Sequence, residues 1–248
     1  MKQKLVNGRW MIWTTDAVAE WDGGTGDPVA KRGWEYVRFR SFRENLRWSD
    51  VFFDVGVEHG WISAVLGQEF VNPANMHLFE PSPEFWPNIR KVWAHNALAT
   101  PAGMVHAFVS DHSDILVPLA VETMFQGWPE PADLNAPETP GMAYRDLRYP
   151  GHIHSITIDD YCAITGARPT VINVDVEGAE LMVMRGAAQT IAKGLVPNIW
   201  ISVHPDLMEK NFGHTPDQLM SFMASCGYSG KLLGVDHEEH WTFTADPF

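Results

Sequence analysis

The stretch Val51 to Gly60, VFFDVGVEHG, constrains this chain more than any other, because an apolar run passes directly into a turn with Asp54, Gly56 and Gly60 spaced as D-x-G-x-x-x-G. Val51, Phe52 and Phe53 read as a buried strand, and Trp61 to Leu66 continues with the apolar content of a helix that packs on a sheet. Strand, glycine turn and helix in that order build a cofactor pocket. Gly56 can take backbone angles closed to other residues, and the start of the helix offers free N–H groups. The spacing is not the G-x-G-x-x-G of dinucleotide folds, and a carboxylate precedes the first glycine. Asp54 would repel a pyrophosphate and suit an ammonium-bearing ligand, which favours S-adenosylmethionine over NAD.

A second strand is expected over Asn75 to Phe79, ending at Glu80-Pro81-Ser82. Glu80 follows Gly60 by the interval at which nucleotide-binding α/β folds place an acid against ribose hydroxyls, since one carboxylate accepts two hydrogen bonds from a vicinal diol. Pro83 to Leu98 reads as helix, and Gly103 to Ser110 as a third strand ending at Asp111. Asp111 is either an acceptor for an adenine amine or a turn residue. Residues 112–150 carry scattered prolines with Met124, Phe125 and Trp128, the mark of a lid-like insert. Ser155 to Ile158 is a short strand, with Asp159 and Asp160 capping the next helix.

The other diagnostic region is Thr170 to Gly186, where Val171 to Val174 is a buried strand with Asp175, Glu177 and Gly178 at its exit. Asn198 to Val203 is a fifth parallel strand, and His204-Pro205 stands at its end. Ligands of open α/β sheets bind beyond the carboxyl ends of the strands, so Asp54, Glu80, Asp175, Glu177 and His204 should face one cleft. His204 is the expected general base, with Asp175 orienting it or, with Glu177, holding a divalent cation; the metal is the less favoured option because two carboxylates are too few for a shell. Thr215 to Cys226 is an amphipathic helix, and Lys231–Leu233 with His240–Phe243 a terminal strand pair. At the other end, strands flank Asn7-Gly8 as a hairpin, and Trp34 to Trp48 is a helix whose Arg38, Arg40, Arg43 and Arg47 read as a solvated face. Residues 1–48 are thus expected as an extension to a domain spanning 49–248.

Composition narrows the partners. At 45% hydrophobic and 20% charged the chain is globular, and no apolar window is long enough to span a membrane. Two cysteines, Cys162 and Cys226, exclude a disulfide framework and fit a reducing, cytoplasmic setting. A net charge of −13 argues against nucleic acid, whose binding rests on lysine and arginine.

Taken together, FFDVGVEHGWIS, HLFEPSPEFWPNIRKVWAHNAL, SITIDDY, INVDVEGAELMVMRGA and IWISVHP resemble the FkbM-type family of class I S-adenosylmethionine-dependent methyltransferases, over about Trp48 to Tyr228. The resemblance implies an α/β, Rossmann-like fold: a seven-stranded, mostly parallel sheet with helices on both faces and an antiparallel last hairpin. It implies Asp54, Gly56 and Gly60 around the methionine part of the cofactor, Glu80 on the ribose with Ser82 beside it, and methyl transfer to a small-molecule hydroxyl, on a sugar or glycoconjugate. Glu58 departs from the family, which generally has asparagine there. A carboxylate at that point would repel the cofactor's own carboxylate unless it turns to the ammonium or to solvent. A metal-dependent glycosyltransferase using Asp175-Val176-Glu177, and a non-catalytic cofactor-binding protein, are the alternatives.

Overall fold

The computed structural model describes residues 2–6, 9–13, 36–82, 85–114, 154–235 and 237–246. The expected lid lies almost wholly outside the described residues, as does the Asn7-Gly8 turn. The hairpin strands themselves, β1 (Lys2–Val6) and β2 (Arg9–Trp13), pair antiparallel.

Four-residue strands with every side chain buried form the centre: β3 (Phe52–Val55), β4 (Met76–Phe79) and β8 (Val171–Val174). Such strands read as unbroken apolar runs because both sheet faces are covered. With β5 (Gly103–Val105), β9 (Asn198–Val203), β10 (Tyr228–Val235) and β11 (Glu239–Ala245) they make a seven-stranded sheet in the order β10-β11-β9-β8-β3-β4-β5. All neighbours from β9 to β5 are parallel, and β11 runs antiparallel to both β9 and β10.

Side-chain alternation divides the core in two. Phe52, Leu78, Val171 and Trp200 point to one face, which is covered by α1 (Tyr36–Asn45), α2 (Trp61–Glu69) and α3 (Trp86–His95). Phe53, Val55, Ile172 and Ile199 point to the other, under α4 (Ile158–Thr165), α5 (Glu180–Arg185) and α6 (Pro216–Ser225). Burying one large apolar side chain is worth roughly 1.5–3 kcal/mol. Phe39 and Phe42 of α1 spend that energy against Trp61, Phe52 and Trp200, so the helix assigned by sequence to an extension packs into the core.

Two local expectations are corrected. The third strand breaks after Val105: β6 (Phe108–Val109) leaves the main sheet and pairs with β7 (Ser155–Ile156) in a separate parallel pair. The following helix is capped by the Thr157 hydroxyl, which accepts the Asp160 N–H at 2.9 Å, and not by Asp159 or Asp160. Asp159 instead accepts the N–H groups of Gln189 and Thr190, tying α4 to the segment after α5.

Candidate active site

The exits of β3, β4, β8 and β9 meet at one end of the sheet, and close backbone approach sets their spacing. Gly56 has φ +88°, and a Cβ there would lie 1.7 Å from the Asp175 carbonyl oxygen. Only glycine permits both the left-handed backbone and that contact. Gly56 N–H donates to the Phe79 carbonyl at 3.0 Å, and Asp175 N–H to the Val55 carbonyl at 2.8 Å. Gly60, at φ +79°, closes the turn where α2 starts.

Glu80 locks this turn to the next strand. It is 3% exposed, and its two oxygens accept the Glu58 N–H at 2.8 Å and the Ser82 N–H at 2.7 Å. A carboxylate oxygen can accept more than one hydrogen bond. Asp54 lies inside the strand, not in the turn, and is 2% exposed. Its oxygens accept from Asn173 Nδ2 at 2.7 Å and from the Ser63 hydroxyl. Burial raises its pKa, against the pull of those two bonds and of Arg38. Asp111 follows β6, outside the main sheet, and its carboxylate accepts from His112 Nδ1 at 3.0 Å, a bond that lowers its pKa.

Around Asp175 the structure assembles a charge network that the sequence showed only in part. Arg38, 1% exposed, donates to Asp175 Oδ2 at 3.0 Å and to the Ser202 hydroxyl. This corrects the solvated-face reading at Arg38; the reading holds for Arg40 and Arg43 of α1 and for Arg47 beyond its end. His204 is 6% exposed, with Nδ1 2.8 Å from Glu180 Oε1 and Nε2 2.9 Å from Glu238 Oε2. Asp175 Oδ1 and Glu177 Oε2 are farther from Nε2, at 3.9 and 3.8 Å.

These contacts set the protonation of His204. Burial alone would lower its pKa, but the hydrogen bonds to Glu180 and Glu238 and the charge of Asp175 push it up to about 11. An imidazolium facing carboxylates on both nitrogens has no lone pair to accept a proton at neutral pH. Asp175 shifts the other way from an ordinary paired carboxylate: desolvation and the Glu238 charge raise its pKa, outweighing Arg38 and His204. Glu238 is lowered, since its contact with His204 and the charge of Arg38 outweigh its burial.

Glu180, Glu238 and Arg38 were missed as site residues. Glu180 stands inside the quoted DVEGAE run, and Arg38 is four residues before Phe42 on the buried stripe of α1. Glu238 sits in the β10–β11 connection, where nothing in the sequence separates it from Glu239.

Asp175, Glu177 and His204 offer ligand atoms within 4.8 Å of one another, the one such group among the described residues. As a metal centre the arrangement fits poorly. Arg38 already holds Asp175 and Glu238 already faces His204 Nε2, so we derive no step through a metal.

A mostly parallel seven-stranded sheet with an antiparallel last hairpin, and a cofactor turn at the exit of its central strand, is the Rossmann-like fold of class I methyltransferases. The family model described as the methyltransferase FkbM domain matches residues 54–229, and the chain belongs to that family. Similar solved structures include methyltransferase FkbM from Methylobacillus flagellatus, at 18% identity and TM-score 0.49 over 83% of this chain. The chain spans 46% of that protein. Precorrin-6y C5,15-methyltransferase from Geobacter metallireducens is 12% identical, with TM-score 0.48 over 87% of this chain and 90% of that one. Magnesium protoporphyrin IX methyltransferase from Synechocystis, with bound SAM, is 10% identical, with TM-score 0.47 over 85% and 76%. No curated protein matches the sequence.

Proposed function

We propose that the protein transfers the sulfonium methyl group of S-adenosylmethionine to an oxygen of a small molecule, a hydroxyl on a sugar or glycoconjugate, with Asp175 as proton acceptor. The observation that carries the cofactor half is Glu80 bonded to the Gly56–Gly60 turn at 2.8 Å, which sets a buried carboxylate beside a glycine cradle. The cofactor, when bound, supplies the electrophilic methyl group. Glu80 takes the ribose diol, and the turn takes the methionine end. Replacing Glu80 with alanine should weaken binding of S-adenosylhomocysteine by more than about 1 kcal/mol, the scale of a charge-assisted bond lost from a buried site. Titration calorimetry checks this, and unchanged affinity would remove Glu80 from the site.

Methyl transfer requires nucleophile, methyl carbon and sulfur in line, so holding two reactants in place is most of the work. A hydroxyl also needs a group to receive its proton. Asp175 has the position, at the exit of the strand next to the cofactor turn, and its raised pKa makes it a better base than an ordinary aspartate. Arg38 fixes its orientation. His204 acts as a fixed positive charge, positioned by Glu180 and Glu238. A side chain 19% exposed leaves Asp175 reachable from the cleft.

Labelled S-adenosylmethionine, offered with a panel of sugar and glycoconjugate hydroxyls, tests the reading. Asp175→Asn should lower turnover by roughly 100-fold or more, with S-adenosylhomocysteine affinity nearly intact. Full turnover in that variant would exclude Asp175 as base. Activity lost to EDTA and restored by magnesium would move the chemistry to a metal. Binding of UDP-sugars in place of S-adenosylhomocysteine would favour glycosyl transfer.

A further inference from the structure

Val57 to Gly60, inside the cofactor turn, closes as a β-turn, with the Gly60 N–H donating to the Val57 carbonyl at 2.9 Å. Glu58, at its first central position, has φ +49°. Glutamate seldom adopts that left-handed angle, so it persists only where the surroundings impose it. Side chains from two other elements reach the turn's backbone. Glu80, at the β4 exit, accepts the Glu58 N–H at 2.8 Å, and Asn88, in the first turn of α3, donates from Nδ2 to the His59 carbonyl at 2.8 Å.

Asn88 is 9% exposed, and its Oδ1 is buried with no hydrogen-bond partner among the described residues. The amide cannot turn over to relieve this, because its oxygen would then face the His59 carbonyl. A buried amide left half unpaired is a poor choice for stability alone, and an apolar side chain of similar size would fill the space without the penalty. What asparagine adds is a donor, and that donor goes to the turn. The start of α3 holds the Glu80 segment as well: Trp86 Nε1 donates to the Glu80 carbonyl at 3.2 Å, and the Phe85 N–H to the Ser82 carbonyl at 3.2 Å. The Phe85 ring meets the His59 ring with centroids 4.7 Å apart, and a Cβ on Gly60 would lie 3.0 Å from Ile89 Cγ1. One helix end thus brackets both the glycine turn and the Glu80 segment.

We propose that Asn88 is a positioning residue for cofactor binding: through the His59 carbonyl it holds the turn in the left-handed form that receives S-adenosylmethionine. This rests on the cofactor reading above. Without the bond, Glu58 relaxes toward ordinary negative φ in part of the population, and apparent affinity falls with the fraction of molecules that keep the receptive form. A residue that adopts the left-handed angle unaided removes the need for the bond, and glycine at position 58 is that residue.

The test is calorimetric titration of S-adenosylhomocysteine into the wild type, Asn88→Asp, Asn88→Leu, Glu58→Gly and the double variant Asn88→Leu with Glu58→Gly. Aspartate keeps the shape of asparagine and removes the donor, while leucine keeps its approximate size. Both Asn88 variants should bind roughly five- to tenfold more weakly than the wild type, the scale of one lost hydrogen bond. Against Glu58→Gly, by contrast, adding Asn88→Leu should weaken binding by less than about twofold, because the two changes act on one backbone angle. Wild-type affinity in Asn88→Asp would overturn the proposal and leave Asn88 a packing residue. A loss as large with glycine at position 58 as without it would overturn it too, since the bond would then act elsewhere than on that angle. Asn88→Ser, too short to reach the His59 carbonyl, repeats the readout if the other Asn88 variants fold poorly. Failure of the wild type to bind is a separate outcome, which overturns the cofactor reading and this assignment with it.

Discussion

Replacing His204 with glutamine should lower folding stability by about 3–5 kcal/mol at pH 6, the cost of breaking a buried ion pair from one side. The loss falls on Glu180 and Glu238, which are 0% and 2% exposed and are left without the imidazolium between them. The pH window follows from two shifts. His204 is raised to about 11 in the folded protein, so its contribution is full below its unfolded value near 6.5 and is lost as pH rises toward 11. Glu238 is lowered, so its contribution is present above its unfolded value near 4.5 and is lost as pH falls through its folded value. The gap between wild type and variant is therefore widest at about pH 5–6 and narrows on either side. Urea unfolding at pH 6 and pH 9.5 measures it. A gap that grows with pH would mean that His204 is neutral in the fold and would return it to candidacy as the base.

Arg38→Met should cost a similar amount, about 3–5 kcal/mol, since it strands Asp175 beside Glu238 with no guanidinium. The loss is recoverable in part: adding Asp175→Asn removes the stranded charge, and a double-mutant cycle should return a coupling of roughly 1–3 kcal/mol. Additive losses would place the role of Arg38 in its bond to Ser202 or in packing. Because Arg38 also pulls the pKa of Asp175 down, the single variant should carry a more basic Asp175, and the acid limb of its pH–rate profile should move to higher pH.

How far the sequence reaches depends on whether a residue's environment is written into its neighbours. The central strands were legible because burial on both faces turns VFF, MHLF and VINV into largely apolar runs, each followed by an acid. The turn around Gly56 and the position of Glu80 were legible for the same local reason. β10 was underestimated: it lies at the sheet edge, mostly exposed, so its polar residues carry no alternation, and only Lys231–Leu233 stood out. The surroundings of His204 were not legible at all. Position placed it at a strand exit, where a histidine suggests a base, but its protonation is decided by Glu180 and Glu238, one 24 residues before it and the other beyond an intervening helix and strand. Charged residues are usually exposed, so a sequence reading leaves Arg38 and Glu238 in solvent by default.

Arg38 comes before the segment matched by the family model and Glu238 after it, yet both close on the same few ångströms around Asp175 and His204. Without the last hairpin, the imidazole of His204 would face a carboxylate on Nδ1 only, that of Glu180. The charge network around Asp175 is thus closed from outside the matched segment, by α1 at one end and by the last hairpin at the other.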